Sequence, residues 1–222
     1  MSHYLSLILA VSVLSTALAC NAITNATADV KIPDPVVSAP LATATSEQTV
    51  VFAGGCFWGV EAVFEHVKGV TDVTSGYAGG DAKTANYKAV SGGATGHAEA
   101  VRITYDSSQI SYQQLLKIFF AVAHDPTELN RQGPDTGTQY RSAIFYIDEN
   151  QQRIARAYIT QLDQAKVFKR PIVTQVVALD SYYKAEAYHQ DYLAHHPNEP
   201  YIVINDQPKV ANLRKQFPDL YK

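Results

Sequence analysis

Thr49-Val50-Val51-Phe52-Ala53-Gly54-Gly55-Cys56-Phe57-Trp58-Gly59-Val60 joins two periodicities within a few residues. Thr49 to Ala53 is apolar or β-branched and has the length of a short buried strand, and Gly54-Gly55 then interrupts it. From Cys56 a helical pattern opens, with Phe57, Val60, Phe64 and Val67 on one stripe. This strand-turn-helix reading puts Cys56 in the first turn of a helix. There the unpaired N–H groups and the positive end of the macrodipole favour a thiolate and lower its pKa. The paired glycines permit a tight turn and a close approach of substrate to backbone. A buried structural cysteine is the other reading of the same residues.

Outward from this unit, His97 to Tyr105 alternates as a strand with Glu99, Val101, Ile103 and Tyr105 on one face. Ser111-Tyr112-Gln113-Gln114 is a capping box for a helix through Ala123, whose apolar stripe is Leu115, Leu116, Phe119 and Val122. Ser142 to Ile147 reads as a strand, Glu149 to Val167 as a helix and Val173 to Leu179 as a strand. Tyr182 to Leu193 and Lys209 to Phe217 read as helical. The order β-α-β-α-β-α-β is compatible with either α+β or α/β architecture.

The 222 residues are 46% hydrophobic and 18% charged, which is the balance of a soluble globular protein. A net charge of -3 argues against an electrostatically driven nucleic-acid binder, so no nucleic acid is expected as a partner. Leu5 to Leu18 is apolar or small throughout and too short to cross a bilayer, and its end, Ala17-Leu18-Ala19, is a small-x-small cleavage pattern. Residues 1–19 are therefore expected to be a signal peptide and the protein to be exported. Cys20 directly after it resembles a bacterial lipoprotein box, although Ala17 stands where Leu is usual. Lipidation of Cys20 would anchor the protein to the periplasmic face of a membrane, its only membrane contact, and ordinary cleavage would leave a loose thiol. Residues 20–48 are rich in Ala, Thr and Pro without an apolar period and read as a flexible tether. The folded unit is expected to be residues 49–222, enough for one core.

Seven motifs then stand in order. They are Phe52-Ala53-Gly54-Gly55-Cys56-Phe57-Trp58-Gly59-Val60-Glu61, Gly76-Tyr77-Ala78-Gly79-Gly80, Thr95-Gly96-His97-Ala98-Glu99, His124-Asp125-Pro126-Thr127, Asn130-Arg131-Gln132-Gly133-Pro134-Asp135, Gln139-Tyr140-Arg141-Ser142 and Tyr188-His189-Gln190-Asp191-Tyr192. Together they resemble the peptide methionine sulfoxide reductase A family over nearly all of residues 49–222.

The resemblance implies an α+β fold, a two-layer sandwich of a mixed β-sheet with packed helices, with a ferredoxin-like core and a long irregular C-terminal segment. It implies that Cys56 is the nucleophile that attacks the sulfur of methionine S-sulfoxide, free or in proteins, and that Glu99 is the acid that protonates the leaving oxygen. Partial burial would raise the Glu99 pKa and keep that proton available. Tyr87 and Tyr140 match the tyrosines that hydrogen-bond the sulfoxide oxygen. Phe57 and Trp58 match the aromatic walls around the S-methyl group, and Asp135, His189 and Tyr192 fall on further substrate-binding positions. His189 and Tyr192 are expected on one helix face. No cysteine follows Cys56, and Tyr201-Ile202-Val203-Ile204-Asn205-Asp206-Gln207-Pro208 resembles the family branch without a resolving cysteine. The sulfenic acid on Cys56 is then expected to be reduced by an external thiol, such as a thioredoxin-like protein. A monomer that repairs oxidised exported proteins is the expected context. His195-His196 precedes Pro197 without the spacing of a metal site, and Gly92-Gly93-Ala94-Thr95-Gly96 lacks the Lys-Ser/Thr of a phosphate loop, so neither metal nor cofactor is expected. A cysteine hydrolase with His97 or His189 as base, and a thiol peroxidase, are the alternatives that use the same cysteine.

Overall fold

The computed structural model describes residues 31–37 and 41–222. The chain runs β1 (Glu47–Gly54), α1 (Phe57–Glu65), β2 (Val70–Ala78), α2 (Tyr87–Val90), β3 (Ala98–Asp106) and α3 (Tyr112–Ile118). It continues through β4 (Arg131–Gln132), β5 (Asp135–Thr136), β6 (Ser142–Tyr146), α4 (Glu149–Gln164), β7 (Gln175–Ala178), β8 (Tyr182–Lys184), α5 (Tyr192–His195) and α6 (Gln207–Gln216). β1 lies inside a six-stranded sheet of order β7-β6-β1-β3-β2-β8, in which β6 and β7 are parallel and the other neighbours antiparallel. Within it, β1-α1-β2-β3-α3-β6 with order β6-β1-β3-β2 is the βαββαβ arrangement of a ferredoxin-like core. The fold is α+β.

Alternation along β1 divides the interior. Val50 and Phe52 face a large core with residues of α1, α3, α4 and α6, whereas Val51 and Ala53 face a small one built from Ala78, Ala98, Ala100, Ala143 and Phe145. The large core is centred on Phe52, whose ring stacks on Phe119 at 4.7 Å and lies 5.7 Å from Phe64. On β3, Val101, Ile103 and Tyr105 point into this core, and the same alternation carries Glu99 to the helix side at the strand's start. Ser111 and Gln114 form the expected capping box of α3, and Phe119–Ala123 continues it as a π-helical turn.

One strand has no local signal in the sequence, and two expectations change. β2 has no clean alternation because Ser75 and Gly76 are buried in it, and Gly76 leaves room for the Tyr182 ring and the Tyr183 carbonyl of β8. Tyr182 to Leu193 is not one helix. Tyr182–Lys184 extends the sheet against Gly76–Ala78, Ala187–His189 is a 3-10 turn, and Asp191 takes a left-handed φ of 53° before α5. Edge pairing with β2 and the Tyr182 hydroxyl on the Thr74 carbonyl override the helical pattern. The stretch read as a tether is docked in part. Ile32 is 5% exposed in the large core, Tyr158 donates to the Pro33 carbonyl at 2.8 Å, and Gln161 bonds both Val36 and Asp34. Side chains of α4 satisfy a segment with no period of its own. Cys20 and residues 1–30 lie outside the described residues.

Glu61 reaches from α1 into the sheet, accepts from the Ser75 N–H at 3.2 Å and is 1% exposed. Burial, opposed by the Ser75 hydrogen bonds, pushes its carboxyl from 4.5 up to about 7. A raised acid stabilises the fold fully below 4.5 and loses that contribution as pH climbs through about 7. Urea unfolding at pH 5 and pH 8 is therefore expected to show the parent losing on the order of 3 kcal/mol relative to Glu61→Gln. Equal pH slopes in the two proteins would contradict this assignment.

Candidate active site

The turn from β1 into α1 is held by Gly55 at φ +92°, and Cys56 follows as the N-cap residue of α1. Against Gly55 packs Gln132, whose amide bonds both the N–H and the carbonyl of Asp125 at 3.0 Å. The β4–β5 hairpin is thereby fixed beside the cysteine. From β3, Glu99 Oε2 accepts the Phe57 N–H at 3.1 Å, so an unpaired donor of the first helical turn goes to the carboxyl group. The Trp58 N–H turns to the Cys56 sulfur.

These contacts decide the protonation of the site. Cys56 is 7% exposed. Burial first, then the Glu99 and Asp206 carboxylates, pushes its thiol well above the usual value, and the Trp58 N–H and Lys209 only partly oppose them. The expectation that the helix start lowers this pKa is therefore corrected: desolvation outweighs the helix end, and the resting group is a thiol. Glu99, 2% exposed, is raised to about 8 by burial, with Asp135 and Asp206 adding to it and the Phe57 N–H opposing. It holds a proton at neutral pH.

Around the pair is a pocket of about 200 Å³ whose walls include Phe57, Trp58, Tyr87, Asp135 and Tyr140. Glu186 positions Tyr87 by accepting its N–H at 2.9 Å and the Tyr77 hydroxyl at 2.8 Å. Gln139 positions the Tyr140 turn by donating to the Ser91 carbonyl at 3.1 Å. Burial raises both phenols, with Glu99 next in each case, so each remains a hydroxyl donor.

His189 and Tyr192 stand behind the wall and do not share a helix face, because the turn at Asp191 separates them. Tyr192 stacks on Trp58 at 3.7 Å with planes 6° apart. His189 Nδ1 accepts the Trp58 indole N–H at 3.2 Å, which leaves the imidazole proton on Nε2, and its ring lies 4.4 Å from Tyr87. Both brace the aromatic wall. His97 turns away, with Nε2 3.0 Å from the Asp81 carbonyl, and lines no part of the pocket.

Three neighbours of Cys56 escape sequence reasoning. Tyr201 lines the pocket, meets Trp58 edge-on at 5.9 Å and donates its hydroxyl to Asp135. Asp206 is fully buried and paired with Lys209 at 3.1 Å. The legible signal is an Asp and a Lys three residues apart at a helix start, a spacing common on solvated helices.

The family described as peptide methionine sulfoxide reductase matches residues 48–221. A peptide methionine sulfoxide reductase of Mesorhizobium japonicum is 57% identical over 178 residues, covering 80% of this chain and 91% of the relative. One of Synechocystis sp. is 53% identical over 193 residues, covering 86% and 90%. Among solved structures, methionine sulfoxide reductase A of Corynebacterium diphtheriae superposes with a TM-score of 0.60 at 34% identity, over 75% of this chain and 87% of that one. Reduced Mxr1 of Saccharomyces cerevisiae gives 0.63 at 29% identity, over 72% and 94%. With a buried thiol and a protonated carboxyl sharing one aromatic pocket, and with this match across the whole folded unit, the chain belongs to the peptide methionine sulfoxide reductase family and is an oxidoreductase.

Proposed function

We propose that this enzyme reduces methionine S-sulfoxide, free or in proteins, by attack of the Cys56 sulfur on the sulfoxide sulfur. The observation that carries the reading is the contact of one pocket with Cys56, the proton-bearing Glu99, two phenol donors and two aromatic walls. The Cys56 sulfur bonds the sulfoxide sulfur, the protonated oxygen then passes from that sulfur to the Cys56 sulfur, and the sulfur–sulfur bond breaks with its electron pair leaving on methionine. Glu99 gives its proton to the oxygen, Tyr87 and Tyr140 bear on the negative charge gathering there, and the thiol proton restores Glu99. In balance, one thiol and one sulfoxide become one sulfenic acid and one methionine. Phe57 and Trp58 receive the S-methyl group, a preference on the order of 1–3 kcal/mol for a group of that size. Asp135 bears on the substrate's polar part, and His189 and Tyr192 act through Trp58.

The sequence to Lys222 offers no second thiol downstream of Cys56. Two equivalents of an external thiol, such as a thioredoxin-like protein, then return the sulfenic acid to the thiol with release of water and a disulfide. Export through residues 1–19, lipid attachment at Cys20 and repair of oxidised periplasmic proteins by a monomer complete the proposal. Turnover of S- and R-epimer peptides with dithiothreitol tests it. Turnover of the S epimer, dependent on thiol, is expected. Equal use of both epimers, or turnover of hydrogen peroxide or a peptide ester instead, would overturn it.

A further inference from the structure

The Asp206 carboxylate is out of place for a structural ion pair. It has no exposure at all, its Oδ2 has no hydrogen-bond partner among the described residues, and Lys209 Nζ holds Oδ1 at 3.1 Å with its own side chain 15% exposed. The pair does not merely join neighbouring turns of its own segment. It is seated on Gly59, in the first turn of α1, where a Cβ would collide with Asp206 Oδ1 and come within 2.6 Å of Lys209 Nζ. Gly59 thus makes the cradle that brings a buried anion against the turn carrying Cys56. Burying two charges for fold stability alone is a poor bargain, since apolar side chains of like volume do as well.

We propose that Asp206 is a positioning residue of the reductase: a buried anion, clamped by Lys209 on the first turn of α1, that sets where the protons of the pocket sit before substrate enters. The assignment rests on the reading of Cys56 as nucleophile and Glu99 as acid. The charged and titratable groups around it come from every element packed there. Burial raises the Asp206 carboxyl, Lys209 of α6 opposes that rise and Asp135 of β5 adds to it; Cys56, Glu99 of β3 and Tyr201 of the pocket wall feel the Asp206 charge, and Lys209 also acts on His124. Asp206 acts on both members of the reacting pair. It raises Cys56 more than Lys209 lowers it, and it raises Glu99. Burial comes first at both groups and the Asp206 charge adds to it, so the site waits as thiol and carboxylic acid.

Asp206→Asn keeps an acceptor for Lys209 and removes the anion. Two profiles are then measured on the full chain: the rate of Cys56 alkylation by iodoacetamide against pH, and the rate of methionine formation in a single turnover against pH. The expected result is a divergence. At pH 7.5 Cys56 alkylates about tenfold faster, while the alkaline limb of methionine formation moves about one pH unit downward because Glu99 gives up its proton earlier. Lys209→Arg is expected to keep both parent profiles. Asp206→Asn/Lys209→Met, which replaces the ion pair by neutral groups of similar size, is expected to move both in the same directions as Asp206→Asn. A merely structural role would lower both rates together without moving either pH profile, and that result, or two unmoved profiles, overturns the assignment. Alkylation reads Cys56 whether or not methionine forms, so failure of the reductase reading appears in the parent and failure of this assignment in the variants.

Discussion

Cys56→Ser is expected to bring methionine formation in the first turnover to background, a loss of about 10⁴-fold or more. The substitution changes little else. Serine retains the N-cap position and lets Glu99 keep the Phe57 N–H at 3.1 Å, and Phe57, Trp58, Tyr87 and Tyr140 still face the same pocket. What it lacks is a soft, polarisable atom that can attack a sulfoxide sulfur and then carry its oxygen as a sulfenic acid. Binding of the sulfoxide is expected to survive in the variant, measured by calorimetry. Loss of binding together with activity would show that the serine had collapsed the pocket, and retained activity would remove Cys56 from the mechanism.

The second large effect is expected from Glu99→Gln, about 10²–10⁴-fold in the rate of methionine formation with little change in KM. Gln can still accept the Phe57 N–H but has no proton to give. In the parent the protonated acid disappears as pH rises through about 8, so the reductive step should decline above that value. The variant should be slow throughout and show no such limb. Its Cys56 moves the other way. With no Glu99 carboxylate to oppose ionisation, the thiol should alkylate more readily in alkaline solution than in the parent. A faster thiol in a slower reductase separates an acid from a group that only supports the fold. Parallel losses in both assays would argue for the latter.

The unit around Cys56 is legible because its residues obey one rule at a time. β1 is apolar, Gly55 turns the chain at positive φ, and α1 shows its stripe in Phe57, Val60 and Phe64. The capping box at Ser111 and the inward face of β3 are equally local signals. β2 is hidden because Ser75 and Gly76 are buried for the sake of Tyr182 and Gln190, partners more than a hundred residues away in sequence. For the same reason the 182–193 segment imitates a helix. Its strand and turns are imposed by the edge of the sheet it joins.

The site divides in the same way. Which groups gather is readable from ordered motifs, and the pocket brings Cys56, Phe57, Trp58, Tyr87, Glu99, Asp135 and Tyr140 together. Their protonation is not readable. A helix start alone favours the thiolate, and only the structure shows that burial and two carboxylates at Cys56 outweigh it. Tyr201 and the Asp206–Lys209 pair are invisible in sequence because an aromatic residue and an i,i+3 ion pair near the chain's end have nothing local to mark them as neighbours of a cysteine near residue 56. On the proposed mechanism, a resting thiol and a resting acid let the enzyme wait in water with an unreactive nucleophile and still hold the proton that the oxygen requires.

The most direct test is a single turnover of the reduced protein with an S-methionine sulfoxide peptide and no added thiol, followed by intact mass and by dimedone trapping. The account predicts one methionine per protein, a chain one oxygen heavier, and the dimedone adduct on Cys56. Methionine formed in excess of the protein, or formed while Cys56 remains an unmodified thiol, would contradict transfer of the oxygen to this sulfur.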